Sequence, residues 1–209
     1  MDYPFDFLKG LARAISFVFH PLLMTTYLFL MLTYFLPVVL QPARPSLWII
    51  LLIFVTTFAL PAVNFLMLRL TGSIRDLTMP QREQRILPFI FISVIYIFVT
   101  LMFYWKFPIP NLLRLMMIVT ALVVFSTIVT FFFKVSVHSV AMWGAIGMML
   151  PMNKVSEENT LLIPTALVIV CAGLVMSARL SLNAHTPKEI LVGSISGFVI
   201  GFFGMIILF

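Results

Sequence analysis

Long apolar blocks separated by short polar breaks dominate the chain. A helix needs roughly 20 apolar residues, in a range of about 17–25, to cross a hydrocarbon core of about 30 Å. That window picks out segments near Ser16–Leu40, Leu47–Leu70, Ile86–Trp105, Leu112–Phe133, Val135–Leu150, Leu161–Ala178 and Ile190–Phe209. Between them stand turn-forming stretches such as "QPARPS", "KFPIPN" and "MNKVSEEN", rich in the residues that end helices. No linker is long enough to separate one domain from another, and no sequence repeat is visible. The pattern predicts an all-α, polytopic helical membrane protein with about six to seven transmembrane helices. It forms a single domain over residues 1–209, with residues 1–15 as an amphipathic lead-in. The opening "MDYPFDFLKGLARAISF" has acidic residues at its start and no small-residue cleavage motif, so the expectation is a retained segment.

Composition supports this expectation. Of 209 residues, 62% are hydrophobic and 10% charged, with a mean hydropathy of +1.16. A soluble domain averages about 45–50% apolar and roughly 25% charged residues, so a water-facing surface is excluded. The net charge of +6 arises from single basic residues scattered at segment ends. That placement suits the bilayer and anionic headgroups, and no nucleic-acid partner is expected. The single cysteine, Cys171, lies inside an apolar run, so no intramolecular disulfide forms.

Alternating the segments across the bilayer places "TGSIRDLTMPQREQR", "FKVSVHS" and "ARLSLNAHTPKE" on one face. The fifth segment is short for a span and begins with Lys134, Ser136 and His138, which suits a cavity opening at that end. The last carries Gly193, Gly197 and Gly201 at a spacing that lets helix backbones approach closely.

The polar face gathers Arg75, Arg82 and Arg85, Lys134 with His138, Arg179, and His185 with Glu189. Ionisable groups near a membrane interior are costly and mark functional candidates. Arg85 and Lys188 are expected to be interfacial anchors. In "TPKE", Thr186 is placed as a helix N-cap, Pro187 as the first helical residue, and Glu189 three residues beyond the cap. His185 therefore sits just outside a helix N-terminus, where N–H groups favour an anion. Glu189 has two available roles, closing the capping box or orienting the His185 ring. Guanidinium forks match phosphate oxygens and Lys adds a point charge, while one histidine could attack phosphorus and the other protonate the leaving oxygen. There is no HExxH, GxSxG or Walker loop. Metal-independent phosphoryl chemistry with no cofactor uses most of these residues.

The order of motifs resembles the type-2 phosphatidic acid phosphatase superfamily, whose pattern is K-x6-R-P, then P-S-G-H, then S-R-x5-H-x3-D. The third motif is matched by Arg179, His185 and Glu189 at the family spacing, with Glu for Asp. The second is matched by Ser136 and His138 in "VSVH", with Val135 for Pro and Val137 for Gly. The first is matched by Arg75 and Arg82, with Arg for Lys and Glu83 for Pro. The resemblance implies that His185 is a nucleophile forming a phosphohistidine, oriented by Glu189, and that His138 is the general acid. It implies further that Arg75, Arg82, Arg179 and Ser136 hold phosphate; Lys134 joins them by proximity.

The expected function is hydrolysis of a lipid phosphate or diphosphate at the bilayer surface. The alternatives are a non-catalytic relative that binds or helps transport anionic phospholipid, and a scaffolding membrane protein whose charges set topology. Phosphatidic acid, phosphatidylglycerol phosphate, a prenyl diphosphate and a lipid A phosphate all remain candidate substrates. The resemblance implies a periplasm-facing site in an inner membrane if the source is bacterial. No sequence feature determines the oligomeric state.

Overall fold

The computed structural model describes residues 3–37, 47–74, 79, 81–107, 109–155 and 160–209. Among these residues the chain is helical with no strands. The helices are α1 (Tyr3–Val18), α2 (Pro21–Phe35), α3 (Leu47–Leu70), α4 (Glu83–Lys106), α5 (Pro110–Thr130), α6 (Val137–Val155), α7 (Leu162–Ser181) and α8 (Pro187–Leu208). Five of them, α3, α4, α5, α7 and α8, are long and apolar enough to cross a membrane. The count becomes six if α1 and α2 together form one bent span.

The first apolar segment is not one straight helix. α1 and α2 meet at 58°, because Pro21 has no N–H to give and is suited to the first position of a new helix. His20 is extended, with φ −63° and ψ 135°, and its Nδ1 accepts from the Leu22 amide at 3.4 Å. Residues 38–40 of that expected span lie outside the described residues.

The expected fifth span is present as α6 but differs from its neighbours, since it is not among the helices apolar enough to cross a membrane by themselves. It is the most enclosed helix, with Val140, Met142, Ala145, Ile146, Met148 and Met149 all buried. Protein encloses most of α6, so its polar residues need not face hydrocarbon.

α6 packs along its length against α8, and glycine makes this possible. A Cβ at Gly193 would stand 2.8 Å from the Ser136 carbonyl oxygen, and one at Gly147 would stand 2.5 Å from that of Phe198. At Gly197 and Gly201 it would collide with the backbone of Val140 and Gly144. On the other side of the bundle, Pro61 leaves the Thr57 carbonyl without its helical donor. The buried Tyr96 hydroxyl donates to that oxygen at 3.1 Å and lies 3.3 Å from Thr25 Oγ1. This three-helix link joins α2, α3 and α4 next to the central cavity.

Gly197→Ala should destabilise the protein by about 1–3 kcal/mol, because backbone rather than a flexible side chain opposes the added methyl. Gly173→Ala has nothing within 4 Å and should be neutral or stabilising by up to about 1 kcal/mol. Thermal unfolding of both variants in one detergent checks the contrast.

Candidate functional site

The turn between α7 and α8 is held at both ends by local chemistry. α7 ends in a Schellman arrangement, in which the Ala184 amide donates to the Arg179 carbonyl at 3.1 Å and the Asn183 amide to Leu180 at 2.9 Å. Asn183 takes the left-handed conformation this requires, at φ 49°, which Asn tolerates better than most residues. α8 then starts with Thr186 as N-cap, accepting from the Glu189 amide at 3.3 Å.

Glu189 fills both roles available to it. Its Oε2 accepts from the Thr186 amide at 3.4 Å, closing the capping box. The same oxygen lies 2.6 Å from His185 Nδ1. An ionised carboxylate only accepts, so Nδ1 carries the hydrogen and Nε2 is left with its lone pair. The His185 side chain is 1% exposed.

Ser136 and His138 open α6, and the Ser136 amide donates to the Glu189 carbonyl at 3.3 Å, so the second and third motifs are joined directly. His138 is buried. Its Nε2–H donates to the Ser16 carbonyl of α1 at 3.1 Å, while Nδ1 has no partner among the described residues. Ser136 Oγ is likewise buried without a partner. Lys134 Nζ donates to the Ala184 carbonyl at 3.1 Å, tying the approach to α6 to the α7–α8 turn.

Lys134, His138, Arg179 and His185 line one cavity of about 660 Å³. Ser136 and Glu189 stand behind its wall. Arg179 Nε is buried and unpartnered. Arg82 is not among the lining residues; its guanidinium donates to the Phe131 carbonyl at 3.0 Å and pairs with Glu83 at 3.2 Å. Arg75 lies outside the described residues.

Three further basic residues line the cavity that sequence reasoning did not assign to it: Arg85, His20 and Arg13. Arg85, expected to be an interfacial anchor, is instead 5% exposed, with Nε donating to the Met79 carbonyl at 2.8 Å. Its signal was position, one helical turn before Pro88 on the inward face of α4. His20 was visible as a histidine directly before a proline, a capping position. Arg13 carried no signal apart from lying on the same face of α1 as Ser16.

Among the described residues the cavity is strongly cationic, lined by Arg13, Arg85, Lys134 and Arg179 and by no Asp or Glu. Burial pushes the His185 imidazole down to about 4; the hydrogen bond and charge of Glu189 oppose this, while Arg85 and Arg179 add to it. The ring is therefore neutral at neutral pH, with Nε2 available. Burial also lowers the Lys134 ammonium, with Arg85 and Arg179 adding to it and Glu189 opposing. Deeper in, the walls are apolar, formed by residues such as Leu28, Phe89, Ile92, Leu122 and Met148. Among the described residues no three His, Cys, Asp or Glu side chains gather as metal ligands.

The model of the PAP2 superfamily matches residues 130–209, the stretch from the end of α5 through α8 that holds Lys134, Ser136, His138, Arg179, His185 and Glu189. Through that region the chain is similar to the type-2 phosphatidic acid phosphatase superfamily. No curated protein and no solved structure matches it.

Glu189→Gln removes the negative charge that helps to raise the His185 pKa, so that value should fall below about 4. NMR titration of ring-labelled histidine in detergent checks this. An unchanged or higher value would mean that the carboxylate does not act on the ring.

Proposed function

We propose that the protein is a membrane lipid phosphatase that hydrolyses a lipid phosphate or diphosphate through a phosphohistidine on His185, without a metal ion. One observation carries this reading. A neutral imidazole held by a carboxylate at 2.6 Å shares a cationic cavity with a second histidine whose Nδ1 is buried and unpartnered. The PAP2 superfamily match supports phosphatase chemistry, and the long apolar helices support embedding in the bilayer.

In the first step the lone pair of His185 Nε2 attacks phosphorus and the bond to the ester oxygen breaks. Glu189 stabilises the cationic ring that forms by accepting from Nδ1–H. His138 gives the leaving oxygen the proton on Nδ1, which it carries as imidazolium once the phosphate dianion is bound. Its Nε2–H stays on the Ser16 carbonyl throughout, so donation returns a neutral ring in the tautomer already held. In the second step the same Nδ1 takes a proton from water as the water oxygen attacks phosphorus, releasing inorganic phosphate and free His185. Arg85, Lys134 and Arg179 balance the charge of the phosphoryl group during transfer, where preorganised donors act most strongly. The apolar depth of the cavity receives the start of the lipid chain.

We take residues 1–209 as one catalytic domain, placed in a bacterial inner membrane with the site facing the periplasm, as the family resemblance implies. Val137, whose side chain lines the cavity where the family pattern has Gly, favours the second reading, a relative that binds anionic lipid without turning it over.

Phosphate release from a lipid-phosphate panel in detergent distinguishes the two. Release should survive EDTA, vanish in His185→Ala, and drop by roughly 10²–10⁴-fold in His138→Ala. Binding without release in folded wild-type protein would select the non-catalytic reading.

With p-nitrophenyl phosphate, whose leaving group needs no proton, His138→Ala should still form phosphohistidine but hydrolyse it slowly. Acid-labile, base-stable label should then accumulate on His185. Absence of that label would remove His138 from the second step.

A further inference from the structure

The N-terminal helix contributes to the cavity although it lies outside the stretch matched by the family model. We propose that Arg13 and His20 form a subsite for a second phosphate, the one that leaves, so that the preferred substrate is a lipid diphosphate rather than a lipid monophosphate. This rests on the assignment of His185 as nucleophile and His138 as acid.

The placement of the rings is the first argument. His20 Nδ1 accepts from the Leu22 amide, so the hydrogen of the neutral ring sits on Nε2, free to be donated to an anion. The His20 ring meets that of His138 edge to face, with centroids 6.0 Å apart. His138 is also bonded to α1 through the Ser16 carbonyl, and Arg13, one helical turn before Ser16 on the same face, is exposed at the cavity rim. Joined to His20 by that ring contact and to α1 through Ser16, His138 lies on the α1 side of the cavity.

A general acid sits beside the oxygen that leaves, so groups beyond it face the leaving group. For a simple monoester that group is an uncharged alcohol and an apolar wall would serve. A guanidinium and an imidazole N–H suit an anion instead.

Charge leads to the same substrate. Among the described residues Arg13, Arg85, Lys134 and Arg179 line the cavity, and Glu189 behind His185 is the carboxylate beside it. A phosphate monoester brings about −1.5 to −2 at neutral pH, and a diphosphate monoester roughly −3, which better balances four cations and one carboxylate.

The step balances without a further reactant. His185 Nε2 bonds to the terminal phosphorus as the bond from that phosphorus to the bridging oxygen breaks. The electron pair stays on the bridging oxygen, which takes the His138 proton. A lipid monophosphate leaves, and water then releases inorganic phosphate from His185.

Binding should be measured by titration calorimetry in detergent on a His185→Ala background, with farnesyl diphosphate and farnesyl monophosphate as probes. The diphosphate should bind about tenfold more tightly, a gap of the size that charge-assisted hydrogen bonds produce. Adding His20→Asn, which keeps a good helix cap, or Arg13→Gln, should each erase most of that gap and leave monophosphate binding within about twofold. Equal affinity for the two probes, equal losses for both, or binding of neither would overturn the subsite. Because the measurement needs no turnover, it is independent of phosphate release by the wild type, whose absence would count against the phosphatase reading alone.

Discussion

Two helix backbones lie too close together for a β-carbon to fit between them, and the geometry of the site follows from that approach. Gly193, Gly197 and Gly201 of α8 meet Ser136, Val140 and Gly144 of α6, and Gly147 of α6 meets Phe198 in return. Packing at this distance sets the start of α6 against the start of α8, where the Ser136 amide reaches the Glu189 carbonyl. The two motif histidines belong to segments about fifty residues apart in the chain, and this contact brings them to one cavity. Small residues at a helix interface act in membranes through close van der Waals contact, since lipid tails supply no hydrophobic drive.

The cavity stores unsatisfied polarity. Among the described residues, His138 Nδ1 and Arg179 Nε are both buried without a protein partner. A buried polar group lacking a partner costs on the order of 1–3 kcal/mol, and more if charged. Stability alone would not retain two such atoms around one space, whereas under the proposed function an oxyanion held there would satisfy them. The same low dielectric that makes unpaired polar groups costly would strengthen every contact to the phosphate of the proposed reaction. Arg85 extends this logic, because its guanidinium is buried in a span and held by the Met79 carbonyl, facing the cavity rather than the headgroups.

α1 and α2 complete the enclosure from outside the family-matched stretch. Their break at Phe19–His20 turns the chain so that Ser16 presents a carbonyl to His138 while His20 presents its ring beside it. The bend is local chemistry, a proline with no N–H preceded by a histidine that caps the new helix. Its consequence is tertiary, because α1 lies against α7 and lines the cavity through Arg13, Ser16 and Phe17.

Much of this was legible in order. Apolar run lengths located α3, α4, α5, α7 and α8, because hydrocarbon demands about one uninterrupted helix per crossing. Thr186, Pro187 and Glu189 announced the start of α8, since capping depends only on neighbours in the chain. Other features were not legible. Glu189 could cap or orient, and only the position of the His185 ring showed that one oxygen does both. Arg82 matched a motif spacing, yet its side chain turns to Phe131 and Glu83 while Arg85, three residues on, enters the cavity; a helix rotation decides which arginine points inward, and packing sets that rotation. α6 looked like a short span and proved to be the enclosed helix, because surroundings rather than composition determine what a polar residue costs. The sequence by itself determined the helices, their caps and the residue types available for phosphate, all properties of near neighbours along the chain. Only the tertiary structure decided which of those residues share a cavity, because that depends on how closely backbones pack and which way each helix is turned.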